Sequence, residues 1–97
     1  MNIRDCAEKC HRIAVDHGWW ETERPIPELL CLVHSEVSEA LEADRNRDDQ
    51  GFAEELADVV IRVMDLAEAR GIDLEREIQD KMAWNIHRPY RHGNKRC

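Results

Sequence analysis

Apolar residues recur along this chain at helical rather than strand spacing. Ile3, Cys6, Cys10, Ile13, Ala14 and His17 follow one another at steps of three, four, three, one and three. That pattern predicts an amphipathic helix over residues 3–17, with Gly18 as its C-terminal stop. The stretch WWETERPIP reads as a loop, because Pro25 and Pro27 forbid a continuing helix and suit the approach to a new one. A second helix is predicted from Glu28 to Arg45, with Leu29, Leu30, Val33, Val37, Ala40 and Leu41 on one broad arc. After the polar turn NRDDQG, with Asp48 or Asp49 as N-cap, a third helix is predicted from Phe52 to Arg70, stopped by Gly71. Its arc of Phe52, Leu56, Val59, Val60, Val63, Leu66 and Ala67 is joined by a second apolar face, Ala57, Ile61 and Met64. A fourth helix, capped by Asp73, is predicted over residues 74–88, ending near Pro89. The fold class is therefore all-α, a four-helix, bundle-like domain over residues 1–97 with a flexible basic tail from 89 onward.

The apolar arcs carry acids at their edges. Glu36 lies at the border of the second helix's arc and Glu39 just beyond it; Glu55 and Asp58 repeat the arrangement on the third. Residues three apart share a helix face, so Glu36-x-x-Glu39 and Glu55-x-x-Asp58 each form a two-carboxylate claw. If the two helices fold back on each other, the claws meet. Burying an unpaired carboxylate costs several kcal/mol, so Glu36 calls for a compensating cation, either an arginine or a metal ion. Hard oxygen donors suit Mg²⁺ or Mn²⁺ rather than zinc.

Length and charge narrow the picture. Ninety-seven residues bury only a modest core, and oligomerisation is a common remedy. A third helix that is apolar on two sides fits a subunit interface. The net charge of −7 argues against a nucleic-acid backbone as partner. No apolar run approaches membrane-spanning length, and the charged N-terminus does not read as a signal peptide, so a cytoplasmic protein with no membrane partner is expected. Cys6, Cys10, Cys31 and Cys97 show no zinc or redox spacing; Cys6 and Cys10, one turn apart, read as a buried helix face.

The charge is uneven, however: from Lys81 to the C-terminus there are five Lys or Arg, two His and no acid. On the fourth helix Lys81, Asn85 and Arg88 fall along one stripe of hydrogen-bond donors, for which phosphate oxygens are natural acceptors. A solvated helix end is the alternative. A divalent ion opposite such a row is a layout for polyphosphate chemistry. Two further residues are less decisive. His11 falls off the apolar stripe, where a histidine is ordinarily solvated. Trp19 and Trp20 cannot easily both enter a core from consecutive loop positions, which leaves one to pack and one to stack on a planar ligand or plug the loop.

The paired motifs, within SEVSEALE and EELADVVIRVMDLAEARGIDL and followed by KMAWNIHRPYRHG, resemble the MazG-like all-α nucleotide pyrophosphohydrolases over roughly residues 28–93. The resemblance implies hydrolysis of a nucleoside triphosphate between its α and β phosphates, giving the monophosphate and pyrophosphate. It implies that Glu36, Glu39, Glu55 and Asp58 hold Mg²⁺ as the catalytic centre, with Lys81, Asn85 and Arg88 near the phosphates. It also makes His11 and Trp20 candidate base or sugar contacts, and it implies a homodimer or homotetramer, in agreement with the two-sided third helix. Two positions depart from the family pattern. Ser35 stands where many members carry a further acid, which leaves the general base unassigned. Arg62 stands where relatives often carry an aromatic residue, within reach of Asp58, Glu55 or a substrate phosphate. A phosphoribosyl-ATP pyrophosphohydrolase, a non-catalytic helical interaction module with its acids solvated or paired with Arg45, Arg47 and Arg62, and an idle nucleotide sensor are the competing expectations.

Overall fold

The computed structural model describes residues 1–88, and within them the chain forms helices only: α1 (Ile3–Asp16), α2 (Ile26–Arg45), α3 (Asp49–Ala69) and α4 (Leu74–Ile86). The basic tail expected from residue 89 lies outside the described residues.

Each helix starts and stops for a chemical reason. The side chains of Asn2, Asp48 and Asp73 accept the amides of Asp5, Gly51 and Arg76, capping α1, α3 and α4. Asp48 is the cap rather than Asp49, so α3 starts three residues earlier than the apolar pattern predicts. Helix α2 starts at Ile26, with Pro25 as an extended N-cap residue and Pro27 accommodated in the first turn, where its missing N–H costs nothing. At the far end, α4 closes at Ile86, two residues short of the expected limit.

Three helices end in the same doubly hydrogen-bonded turn. After α1, Gly18 N–H donates to Val15 O and Trp19 N–H to Ala14 O; after α3, Gly71 and Ile72 donate to Glu68 and Ala67. Both glycines take the left-handed conformation that this turn requires, with φ of 82° and 68°. After α2 the bonds are the same, Arg47 to Asp44 and Asp48 to Ala43, but the left-handed position is held by Arg47 at φ 56°. The α2–α3 connection is thus very short, and the two helices fold back against each other.

Helix α3 is central: it packs against α2 on one side and α1 on the other, while α1 and α2 make no close approach to each other. The buried apolar residues are few and lie along these seams: Ala7, Leu29, Ala40, Met64 and Ala67. The broad arc expected on α2 splits accordingly. Leu29, Glu36 and Ala40 face α3, whereas Leu30, Val37 and Leu41 stay about half exposed. On α3, Phe52, Leu56, Val60 and Val63 form a second exposed apolar stripe at steps of four, four and three. Fully burying such side chains is worth about 1.5–3 kcal/mol each, so much of the available stabilisation is uncollected within one chain.

Helix α4 touches only α1 and α3 and has no buried residue. Its start is tied to α1 by Arg4, which reaches Asp73 at 2.7 Å and donates its amide to Glu75. From there it runs off the body of the molecule, leaving Met82, Trp84 and Ile86 largely exposed. Among the described residues the four helices do not close into a compact bundle.

Candidate metal and nucleotide site

The α2–α3 hairpin brings three of the four predicted carboxylates together. Glu36, Glu39 and Glu55 each offer an oxygen, and these atoms lie within 4.8 Å of one another. Glu36 is only 9% exposed, Glu55 is half-buried and Glu39 faces solvent. Asp58 is not part of this trio. It is exposed and borders the adjacent cavity together with Glu36 and Arg62.

The trio is electrostatically unsatisfied. Glu55 Oε2 is buried without a hydrogen-bond partner. Two substituents can satisfy such an oxygen beside other carboxylates, a proton or a cation. In the absence of a cation the proton wins: sharing it with Glu36 first, then with Glu39, together with burial and the charge of both neighbours, pushes the Glu55 carboxyl up to about 7. Burial would push Glu36 up as well, but the hydrogen bond from Arg62 and contact with the Glu55 proton outweigh it and hold Glu36 below the usual carboxylate range. The donor set is all carboxylate oxygen, and an ion with oxygen contacts of about 2.0–2.6 Å can bridge it with small rotamer adjustments. The residues present therefore fit a hard divalent cation.

Arg62 Nε donates to Glu36 Oε1 at 3.0 Å. The sequence alone leaves Glu36 a choice between arginine and metal; the fold supplies the arginine and leaves the Glu55 oxygen open. Arg62 also lies 5.6 Å from the centre of the Trp19 ring, and Arg24 lies over the same ring at 3.8 Å. Arg24 further donates Nε to the Trp19 carbonyl at 2.7 Å, which fixes the loop after α1.

A cavity of about 410 Å³ opens in the gap that α1 and α2 leave over α3. Trp19, Glu36, Asp58, Arg62 and Asp65 contribute to its walls, with Cys10 and Ile13 on the α1 side. Burial raises the Cys10 thiol, with Cys6 beside it adding to the effect, so both behave as the half-buried helix face that their spacing suggests.

Asp65 is the residue that sequence reasoning overlooked. It is 9% exposed and lies among apolar neighbours on α3. Its carboxylate accepts the Trp20 indole N–H at 3.0 Å and meets His11 Nδ1 at 2.7 Å. This corrects the expectation that His11 is solvated: the ring is half-buried, anchored to Asp65 and 5.8 Å from the Trp20 ring. Asp65 borders the second apolar face of α3, beside Ile61, and an acid at the edge of an apolar face is the signal that would have found it, as it picked out Glu36.

Lys81, Asn85 and Arg88 are not brought to the carboxylates. Lys81 and Asn85 are exposed, Arg88 is half-exposed, and α4 makes no contact with α2.

Among the described residues the chain is all-helical and carries a carboxylate trio on its α2–α3 hairpin. Residues 26–92 match the family model described as the MazG nucleotide pyrophosphohydrolase domain, and the chain belongs to that family. No curated protein and no solved structure matches the chain. Among the described residues, no helix is long and apolar enough to cross a membrane.

Proposed function

We propose that the chain is an Mg²⁺-dependent nucleoside triphosphate pyrophosphohydrolase, converting a (d)NTP and water to the (d)NMP and pyrophosphate. Family membership supports the reaction class, and the buried, unpartnered Glu55 oxygen beside Glu36 and Glu39 is the observation that carries the metal. Glu36, Glu39 and Glu55 would hold it, with Asp58 at the cavity edge available once a polyphosphate is bound. Mg²⁺, or Mn²⁺, supplies charge neutralisation of the phosphates and a lowered pKa for a bound water. Glu36 is kept ionised and fixed by Arg62, so it is a ligand ready before substrate arrives. The cavity over α3 takes the substrate: its acidic edge lies at Glu36 and Asp58, and its aromatic end at Trp19. Trp20 and His11 do not line this cavity but hold Asp65, which does, and would meet base or sugar only at its edge. No carboxylate is assigned here as general base, because Ser35 stands where relatives offer one.

The partner implied is a second copy of the chain. The stripes Leu30–Val37–Leu41 and Phe52–Leu56–Val60–Val63 form one apolar surface on the α2–α3 hairpin, and two such hairpins make a four-helix core. Because α4 does not approach α2 in its own chain, the Lys81, Asn85 and Arg88 row reaches triphosphate only across such an interface. The deciding experiment is a panel of canonical and modified (d)NTPs with Mg²⁺, read out by product identity. Pyrophosphate with the monophosphate is expected, and phosphoribosyl-ATP is included as the related substrate. Orthophosphate release would sink both enzyme readings.

The Glu36–Arg62 pair favours one rival, a non-catalytic module whose acids are neutralised by arginine. That rival requires wild type to bind no divalent ion. Mg²⁺ binding that weakens in Glu39→Gln removes it.

A further inference from the structure

We propose that Arg62 is a phosphate-binding residue held in reserve on Glu36, released toward the substrate when a divalent ion takes over that carboxylate's charge. The proposal rests on the reading of the site as a metal–triphosphate centre. Arg62 forms the one ion pair to the four motif acids among the described residues. The pair rests on a single bond: only Nε donates, and neither terminal Nη atom finds an acceptor among the described residues. A guanidinium whose purpose was to hold a carboxylate would do so through two parallel bonds. Here the forked end, which matches phosphate geometry best, is unspent.

Its surroundings point the same way. Arg62 borders the cavity over α3, as do Asp58 and Trp19. Arg24 already covers the Trp19 ring closely and has Glu28 as an acid neighbour at 3.6 Å, whereas Arg62 approaches the same ring more loosely. The donor row of α4 is not at hand to bind phosphate there within the chain. A divalent ion on Glu36, Glu39 and Glu55 would cut the charge of the three ionised carboxylates from −3 to −1, so their hold on Arg62 weakens, and a phosphate oxygen of the more highly charged triphosphate replaces Glu36 Oε1 as its acceptor. Metal and triphosphate therefore bind with positive coupling through one side chain.

The test uses the full chain, stripped of metal, as wild type, Arg62→Met and Arg62→Lys. Mn²⁺ alone is titrated first, followed by calorimetry of inorganic tripolyphosphate in saturating Mg²⁺. Arg62→Met should bind Mn²⁺ about threefold or more tighter, because a competing cation is gone. The same variant should bind tripolyphosphate roughly tenfold or more weaker, the scale of a lost charge-assisted hydrogen bond. Arg62→Lys should recover most of the tripolyphosphate affinity. A side chain that merely props Glu36 predicts weaker Mn²⁺ binding in Arg62→Met, and that result overturns the proposal, as does unchanged tripolyphosphate affinity. If Arg62→Met does not fold, Arg62→Gln carries the same comparison, since it keeps an amide donor and loses the charge. Wild type that binds no Mn²⁺ would overturn the proposed function itself, a distinct outcome from wild-type binding that Arg62→Met leaves unaltered.

Discussion

Asp65 Oδ1 lies 2.7 Å from His11 Nδ1, joining the C-terminal part of α3 to α1. The same carboxylate accepts the Trp20 indole N–H, so one buried acid fixes two aromatic side chains from two segments. Replacing it with alanine leaves two half-buried donors without an acceptor. Asp65→Ala should cost about 2 kcal/mol of folding stability, and Trp20→Phe, which removes one donor and keeps the ring, about 1 kcal/mol. Urea unfolding of both variants and of the double variant checks this. If the bonds are coupled through Asp65, the double variant loses clearly less than the sum.

Glu55 gives the metal-free protein an unusual pH profile. Its carboxyl is raised from an ordinary 4.5 to about 7 in the folded chain, so between those values the folded state holds a proton that the unfolded state has released. The stabilisation from this group is complete below pH 4.5 and lost as pH rises through 7. Glu36 acts oppositely: its lowered carboxyl stabilises above its ordinary value, and that contribution disappears as pH falls below it. With metal chelated, the melting temperature should therefore fall from pH 5 to pH 8, and Glu55→Gln should flatten that slope. A wild type and a Glu55→Gln variant with parallel profiles would contradict the assignment.

How much of this was legible in the sequence depends on what each residue answers to. Gly18, Gly71 and Asp73 respond to local backbone geometry, and their spacing marked the ends of α1 and α3 and the start of α4. The Glu36 and Glu55 claws were legible because acids at the border of an apolar arc contradict the arc. His11 was not, since its partner Asp65 is 54 positions away and only the packing of α1 on α3 joins them. The broad arc of α2 misled for a related reason. A wheel shows which residues are apolar but not which of two neighbours claims them, so Leu30, Val37 and Leu41 were counted with a core they do not enter. The Lys81 row was likewise read as facing the claws, a relationship that no pattern within one helix can establish.

The α2–α3 turn contains a second illegible feature, and it can be engineered. Arg47 holds the left-handed position that Gly18 and Gly71 hold in the equivalent turns. An L-residue there is strained by roughly 1–2 kcal/mol, partly offset by the greater unfolded-state freedom of glycine. Arg47→Gly should therefore stabilise the protein by about 0.5–1 kcal/mol. Arg47→Val, branched at Cβ, should destabilise it. Thermal melts of the pair decide the matter, and a loss of stability in the glycine variant would mean that the arginine side chain has a role beyond the turn.

Metal binding offers a test of each carboxylate separately. Glu39→Gln and Glu55→Gln each remove one ligand charge from the trio, and affinity in oxygen-donor sites spans decades with that charge. Each variant should weaken Mn²⁺ binding by roughly tenfold or more. Asp58→Asn, outside the trio and exposed, should weaken Mn²⁺ alone far less, yet lower turnover if Asp58 engages the ion only with triphosphate present. Equal loss of Mn²⁺ affinity in all three variants would place Asp58 among the resting ligands after all.

The exposed apolar stripe on α3 leads to the last prediction. Leu56 and Val60 are 47% and 53% exposed in one chain, one turn apart, at the middle of the surface offered by the hairpin. If a second copy covers them, a charge there is buried without a partner and association fails. Leu56→Glu should convert a dimer or tetramer to monomer in sedimentation, with a lower melting temperature and a concentration dependence that disappears. The carboxylate trio is built within one chain, so Mn²⁺ affinity should survive in the monomer to within a few-fold. If Lys81, Asn85 and Arg88 reach triphosphate from the partner, tripolyphosphate affinity should fall in the monomer. A wild type that sediments as a monomer at micromolar concentration and still turns over triphosphate would rule out this assembly and leave α4 without a role in the site.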